Sequence, residues 1–374
     1  MRLGYFYPER AERFLIKQCS SDYNLSRGIS RRMKLYAGRI ANPDQQEPDF
    51  MKKIAVLSSG GDAPGMNAAI RAVVRTAIYH DMEIWGIRRG YQGLIEGDMF
   101  QMRAQDVSNI IARGGTVLKT ARSKAFQTEE GRAQAFQQLR DRGIEGLVLI
   151  GGDGTFRGAV EFFKQYSIPA IGLPGTIDKD LAGTDFTIGF DTAVNTAVDA
   201  IDKIRDTADA HDRLFIVEVM GRDAGYIALH SGIACGAEDI LLPEVVTDVD
   251  SVLRRIADDE RRKKTVHILV VSEGDDIEGG AEGLLKRIKA DFPKLDTRLS
   301  VLGHIQRGGS PTCADRVLAS RLGFAAVQGL REGQTQVMVG IIHEKVVFTP
   351  FELAVKQNAC MSRDMLQMIR VLAV

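Results

Sequence analysis

Two stretches decide the fold: Ile54-Ala55-Val56-Leu57-Ser58-Ser59-Gly60-Gly61-Asp62 and Leu147-Val148-Leu149-Ile150-Gly151-Gly152-Asp153-Gly154-Thr155. Each begins as an unbroken apolar run and ends in a glycine pair followed by aspartate. Such runs fit strands buried on both faces, as in a parallel sheet covered by helices. A segment with helical spacing follows each turn, over Met66 to Tyr79 and Arg157 to Phe163. Glycine lets a backbone approach an anion closely, and a helix N-terminus adds unpaired N–H groups and a favourable dipole. One such turn is equally well a tight structural turn. Its repetition after a second buried strand favours a phosphate site.

The rest of the chain continues the alternation. Met82 to Ile87, Pro169 to Leu173, Leu214 to Val219, Thr265 to Ser272 and Gln336 to Ile342 read as strands. Ala133 to Arg142, Thr192 to Ile204 and Ser251 to Arg262 suit helices. The pattern predicts an α/β fold with a parallel sheet covered on both faces.

Composition narrows the function classes. At 374 residues the chain has length for two lobes around a sizeable core. Lys plus Arg and Asp plus Glu both number 49, so no overall field draws it to nucleic acid. Cys19, Cys235, Cys313 and Cys360 lie far apart without CxxC spacing, which argues against a zinc site, a redox pair or a disulfide framework. No apolar run approaches the length of a membrane span. A soluble protein in the reducing cytoplasm is the expectation. Residues 1–50 differ from the remainder: they carry scattered arginines and end in Asn42-Pro43-Asp44-Gln45-Gln46-Glu47-Pro48. They read as a disordered or mis-assigned extension with Met51 as the true start. A basic organelle-targeting leader is the alternative.

Beyond the second turn comes Pro174-Gly175-Thr176-Ile177-Asp178-Lys179-Asp180. In an extended segment Asp178 and Asp180 would face one side and Lys179 the other. Two close carboxylates suit a general base and a partner that orients it or shifts its pKa. A solvated loop is the plain alternative. Asp153 would repel a bound phosphate unless a hard cation lay between them, and Mg2+ held by one carboxylate, water and substrate phosphates fits that role. Helix N-capping is the competing duty.

The string Ser59 to Arg71, reading SGGDAPGMNAAIR, resembles the opening of bacterial 6-phosphofructokinases. So do Gly151 to Thr155, Pro174 to Asp178, Glu218-Val219-Met220-Gly221-Arg222, and Gly303 to Pro311, reading GHIQRGGSP. They occur in the family's order and approximate spacing, from Met51 to about Gly340. The resemblance implies two Rossmann-like three-layer α/β/α lobes with mostly parallel sheets and an active site in the cleft between them. The implied ATP-binding lobe comprises residues 51–188 and about 305–355, and the smaller fructose 6-phosphate lobe residues 189–304 and about 356–374. It also implies transfer of the γ-phosphoryl group of MgATP to the 1-hydroxyl of fructose 6-phosphate.

By resemblance, Gly61, Tyr91, Arg122, Gly152, Asp153, Gly154, Thr155 and Gly158 hold ATP, with Asp153 on the magnesium. Asp178 is the base, supported by Thr176 and Asp180, while Arg222 and Arg122 stabilise the migrating phosphoryl group. Met220, Gly221, Glu273, His304 and Arg307 bind the sugar phosphate. Arg213 and Arg298 reach across from a neighbouring subunit of a homotetramer. Arg71, Arg75, Arg205, Glu238, Arg262 and Lys264 match an effector site for ADP or phosphoenolpyruvate, although Ala104 replaces an arginine frequent in the family. The Arg261-Arg262-Lys263-Lys264 cluster is otherwise a solvated helix end.

Pyrophosphate-dependent relatives carry aspartate and lysine at the positions of Gly154 and Gly175, so the two glycines leave room for a nucleotide and favour ATP. A pyrophosphate-dependent enzyme is the nearer alternative, and a catalytically silent regulatory subunit the one from another class. Lipid kinases and NAD kinases share the Gly-Gly-Asp-Gly-Thr turn but not the other strings. Lys179 stands where the family typically has asparagine. It is expected either to lower the neighbouring carboxylates' pKa or to project outward with little effect.

Overall fold

In the computed structural model, residues 51–262, 266–356, 361 and 363–372 are described. The extension read for residues 1–50, and Lys264 of the effector set, lie outside them. Along the chain, β1 (Lys53–Ser58) leads to α1 (Met66–Tyr79), β2 (Glu83–Ile87), α2 (Gly90–Glu96), β3 (Met99–Gln101), α3 (Glu129–Asp141), β4 (Gly146–Gly151), α4 (Asp153–Gln165) and β5 (Ala170–Pro174). Next come α5 (Phe190–Asp209), β6 (Leu214–Val219), α6 (Tyr226–Ala234), β7 (Asp239–Leu241), α7 (Val249–Arg261), β8 (His267–Ser272), α8 (Gly280–Asp291) and β9 (Thr297–Val301). The chain then forms α9 (Cys313–Arg331), β10 (Val337–Ile342), β11 (Lys345–Pro350) and α10 (Arg363–Leu372). Among the described residues no helix is long and apolar enough to cross a membrane.

Two sheets result. The larger has the order β11-β10-β5-β4-β1-β2-β3, and the smaller β7-β8-β6-β9. All pairings are parallel except the outer β2–β3 and β10–β11 pairs. The strands read as unbroken apolar runs take the interior places: β4, β5 and β8 are buried along their whole length.

Alternation of side chains along each strand sorts the core into layers. Ile54 and Val56 point to one face of the large sheet, where they join Ile70 of α1 and Leu322 of α9. The same apolar cluster runs on through Ile201 of α5 and Ile227 of α6 to Val217 and Val270 of the small sheet. Ala55 and Leu57 face the other way, onto Phe156 and Phe162 of α4 and Leu139 of α3. Leu214 and Ile216 likewise face Ile256 of α7 and Ile288 of α8. The two sheets therefore share one packed inner layer.

A buried carboxylate pins that layer. Asp315, in the first turn of α9 and 1% exposed, accepts hydrogen bonds from Gly189 N and Thr192 N, both 2.8 Å, and from Thr192 Oγ1 at 2.6 Å. It thus caps α5 from a different helix, satisfying N–H groups that a helix start leaves open.

Candidate active site

The glycine turns meet where the strand order reverses. From β1 the chain proceeds outward to β2 on one side, then returns to place β4 on the other. The crevice at the carboxyl ends of β1 and β4 is a topological switch point, where open α/β sheets bind ligands. Hydrogen bonds tie the three turns together there. Ser59 N donates to Ile150 O (2.9 Å), Thr155 Oγ1 to Ser59 O (3.1 Å), and Gly175 N to Gly151 O (2.9 Å).

Local chemistry shapes each turn. Gly65 ends the first with φ 103°, and a Cβ there would lie 2.7 Å from Ile188 Cγ2, so only glycine fits. Asn67 donates to Arg113 O and Gly114 O (3.0 and 3.1 Å) and accepts from Val117 N (2.7 Å), pinning the loop that leads to Arg122. Thr120 Oγ1 then bonds Gly60 O at 2.7 Å, which brings the exposed Arg122 close to this turn in the chain. Gly152 caps α4, and Asp153, Gly154 and Thr155 form its first turn. Tyr91 is buried beneath: its hydroxyl donates to Thr155 O at 2.7 Å and its ring stacks on Phe126. Gly158 lies against that ring, with a Cβ position 3.0 Å from Tyr91 Cε2.

The Asp153 carboxylate accepts both Arg157 Nε (2.9 and 2.8 Å) and Lys356 N (2.8 Å). Among the described residues no group of three or more His, Cys, Asp or Glu is arranged to hold a metal by itself. Around Gly154 the Cβ direction is open space, as the reading of an unobstructed pocket requires. Gly175 differs: its Cβ would meet Ile150 Cγ2 and Met66 Cε, each at 3.0 Å. Glycine at 175 therefore answers to the packing beneath it as well.

The segment after β5 is not extended, contrary to the premise for facing carboxylates. Lys179 adopts φ 55°, so a left-handed corner separates Asp178 from Asp180. Both aspartates are nonetheless buried, at 8% and 7% exposure. Thr176 Oγ1 accepts from Asp178 N at 3.2 Å and steadies the corner. Burial pushes the pKa of Asp178 up, the Arg307 and Arg222 charges pull against it, Glu273 reinforces it and Lys356 opposes it. Asp180 is pushed up to about 6, first by burial and then by the Asp178 charge. Of the two expectations for Lys179, the outward one fits: its ammonium lies among aromatic rings and is not among the main charges acting on either aspartate.

The other wall comes from the small sheet. After β6, Met220 is buried, Gly221 has φ 149° and Arg222 φ 56°. A Cβ at Gly221 would fall 2.2 Å from Ala224 O. Glu273, directly after β8, accepts from Arg222 N (2.7 Å) and Gly221 N (3.3 Å) and so holds this turn. After β9 a short 3-10 turn, Gly303–Arg307, presents an exposed His304 and swings Arg307 over Gly61. A Cβ on Gly61 would lie 2.2 Å from Arg307 Nη1. Arg307, read for the sugar, and Gly61, read for the nucleotide, thus meet beside Asp178.

Arg213 and Arg298 are elsewhere. Both pair with Asp296, at 2.7 and 2.9 Å, at the amino ends of β6 and β9. The six residues of β6 separate Arg213 from the turn at Met220, roughly 20 Å, and Arg298 pairs with Phe215 at the same far end. The effector candidates are brought together only in part. Arg205 donates to Cys235 O (2.7 Å) and lies 3.9 Å from Glu238. Glu238 and Arg262 both line a cavity of about 490 Å³ beside α7 and α10. Arg71 and Arg75 lie one turn apart on α1.

Lys356 joins the site without having been read from the sequence. An antiparallel bridge to Leu181 sets it beside the corner, its amide caps Asp153, and its ammonium pairs with Asp223 next to Arg222. Its charge reaches both Asp178 and Asp180.

Comparison with known proteins gives a consistent answer. The family profile described as Phosphofructokinase matches residues 53–330. An ATP-dependent 6-phosphofructokinase of Cytophaga hutchinsonii is 55% identical over 318 residues, covering 85% of this chain and 97% of that one. ATP-dependent 6-phosphofructokinase 1 of Thermus thermophilus is 56% identical over 323 residues, covering 86% and 100%. Among solved structures, Pichia pastoris phosphofructokinase in the T-state superposes with a TM-score of 0.77 at 34% identity. That match covers 89% of this chain but 38% of the longer yeast one. The switch-point turns, the paired aspartates and these likenesses agree: the chain belongs to the phosphofructokinase family.

Proposed function

We propose that this chain is an ATP-dependent 6-phosphofructokinase, converting fructose 6-phosphate and MgATP to fructose 1,6-bisphosphate and MgADP. The observation that carries this reading is the convergence of Asp178 with Arg222 and Arg307 at the switch-point crevice. In a small-sheet and large-sheet cleft of this kind, residues 51–188 with about 305–355 hold the nucleotide. Residues 189–304 with about 356–374 hold the sugar phosphate.

The N–H groups at the start of α4, with Gly61, Gly152, Gly154 and Thr155, cradle the ATP phosphates. Tyr91 and Gly158 support that turn from below, and Arg122 reaches the phosphates from the loop that Thr120 ties to Gly60. Asp153, which here accepts from Arg157 and Lys356, would supply the one carboxylate that magnesium takes from the protein when bound with nucleotide phosphates. When bound, Mg2+ neutralises charge on the transferring phosphoryl group. Met220, Gly221, Glu273, His304 and Arg307 hold the sugar phosphate.

Asp178 takes the proton from the sugar's 1-hydroxyl as that oxygen bonds to the γ-phosphorus. The bond to the β,γ-bridging oxygen breaks and ADP leaves with its electron pair. Arg222 and Arg122 stabilise the transferring oxygens, a task suited to arginine's planar fork. Thr176 and Asp180 keep the base in place. Arg213 and Arg298 are too far from their own chain's cleft to serve it, which supports their delivery to a neighbouring subunit in a homotetramer. Arg71, Arg75, Arg205, Glu238, Arg262 and Lys264 form the effector site for ADP or phosphoenolpyruvate. The cytoplasm, where glycolytic substrates occur, is the proposed location.

A coupled assay on fructose 6-phosphate comparing ATP with pyrophosphate tests the reading. Turnover with ATP and none with pyrophosphate is expected. Turnover with pyrophosphate alone would transfer the chain to the pyrophosphate-dependent class, and none with either donor would leave the silent-subunit alternative.

A further inference from the structure

Lys179 lies between the two site aspartates, yet the proposed chemistry gives it nothing to do. Its backbone is left-handed at φ 55°, a conformation that β-carbon-bearing residues avoid and that asparagine tolerates better. Something must hold a lysine there. Its Nζ lies 5.0 Å from the Phe190 ring centroid, 5.3 Å from that of Tyr226 and 5.8 Å from that of Phe186. All three are within the range over which a ring face attracts a cation.

The rings come from separate places. Phe186 belongs to the loop after the corner and is half exposed, Phe190 opens α5 and is buried, and Tyr226 opens α6 beyond β6. Phe190 is braced edge-on by His230 of α6, with ring centroids 5.3 Å apart. Two titratable groups face the ammonium. Asp185, whose carboxylate accepts His343 N at 2.8 Å, attracts it. Burial and then the ammonium itself push the His230 pKa down. The main charges acting on Asp178 are those of Arg307, Arg222, Glu273 and Lys356, and on Asp180 those of Asp178, Lys356 and Asp153, in keeping with a Lys179 ammonium placed among the rings.

We propose that Lys179 is a positioning residue. Its ammonium, boxed by Phe186, Phe190 and Tyr226, fixes the left-handed corner that presents Asp178 and Asp180, and fastens the base loop to the helix following the sugar-phosphate turn. The assignment rests on the reading of Asp178 as the base. It adds to that reading a clamp between the two halves of the site, made by a residue that touches neither substrate.

The test compares Lys179→Met, which keeps length but removes charge, with Lys179→Arg, which keeps a cation able to stack on rings, and with Tyr226→Leu alone and combined with Lys179→Met. In the coupled ATP assay Lys179→Met should lose roughly tenfold in kcat, with both KM values within about twofold, because a partly desolvated cation among rings is worth about that factor. Lys179→Arg should recover most of the loss, and the double variant should be no worse than Lys179→Met. If Lys179→Met fails to fold, Tyr226→Leu against the parent carries the same kcat comparison. Equal losses for Met and Arg, a loss in KM instead of kcat, or multiplying losses in the double variant would overturn the clamp.

Reductive methylation read by mass spectrometry checks the box without catalysis. Lys179 should label more slowly than the exposed Lys164, and Tyr226→Leu should speed it. A parent without kinase activity would refute the base assignment and this one with it. Fast labelling of Lys179 in an active parent would refute the box alone.

Discussion

Replacing Asp180 by asparagine should make the protein more stable and less active, and the gain in stability should depend on pH. Asp180 is 7% exposed and carries a pKa raised from 3.8 to about 6, by burial first and the Asp178 charge second. A displacement of roughly two pH units corresponds to roughly 3 kcal/mol. The sign follows from linkage. The folded chain holds this proton more tightly than the unfolded one, so the favourable contribution is complete below pH 3.8 and lost as pH rises through about 6. At pH 7.5 the parent carries the whole cost of an ionised, buried carboxylate beside another. Asparagine has the same shape and no charge to desolvate.

Asp180→Asn should therefore gain up to about 3 kcal/mol at pH 7.5, or roughly 4 °C in melting temperature for a chain of this length. Near pH 4 the two melting curves should converge. Turnover at pH 7.5 should fall by on the order of 10–100-fold, less than loss of the base itself. Thermal melts of nucleotide-free, magnesium-free protein from pH 4 to 8, at one protein concentration because assembly shifts the midpoint, supply the measurement. A variant no more stable than the parent at pH 7.5, or equally stabilised at pH 4, would refute the argument that the site stores this strain in Asp180.

Other outcomes follow from the same geometry. Asp178→Asn should lower kcat by about 10²–10⁴ with KM for the sugar phosphate little changed, measured by steady-state kinetics. Lys356→Gln removes a positive charge that holds both aspartates' pKa values down, so the acid limb of the kcat profile should move to higher pH; an unmoved limb would remove Lys356 from the site. Asp315→Ala strands the buried Gly189 and Thr192 donors and should cost about 3–5 kcal/mol in denaturant unfolding. Arg298→Ser, far from its own cleft, should raise KM for fructose 6-phosphate more than it lowers kcat.

Legibility in the sequence tracked burial. The strands at Ile54, Leu147, Leu214 and His267 are predominantly apolar because helices cover both faces, and their runs announce them. The edge strands do not: β9 is buried at Thr297 but exposed at Arg298 and Val301. The β10–β11 hairpin turns on His343 and Glu344 at φ 47° and 64°, a left-handed pair without the usual asparagine or glycine. Helix α6 has apolar residues on every side, since it lies in the layer shared by both sheets, and so shows no helical stripe. In the site, the glycine turns were legible because Gly60 and Gly65 take positive φ, at 85° and 103°, and a Cβ on Gly151 would lie 2.5 Å from Ser59 O. Lys356 was not, because its place depends on a bridge to Leu181 that no local pattern encodes. Lys179 was visible as a departure from the family's asparagine, and its pointing away from the aspartates was expected, but the rings that receive it were not. Strand alternation assumed an extended segment, and the corner at φ 55° turns its ammonium toward rings of another helix.

The shared layer bears directly on the chemistry. Phosphoryl transfer depends on alignment and charge neutralisation, and an error of about 1 Å can cost on the order of 10²-fold in rate. Here the two walls of the cleft come from the carboxyl ends of different sheets: Gly61, Asp153 and Asp178 from one, Met220, Arg222 and Glu273 from the other. Were the lobes joined only by a linker, their spacing would vary with every thermal fluctuation. Instead a continuous apolar cluster from Ile54 through Ile201 to Val270 packs between them. Asp315 locks α9 to α5, and Lys356 reaches Asp153 on one wall and Asp223 on the other. A packed layer of this kind permits small sliding more readily than wide hinge opening. The contacts that span this layer, from Asp315 on one side and Lys356 on the other, hold the two walls at the spacing that in-line transfer requires.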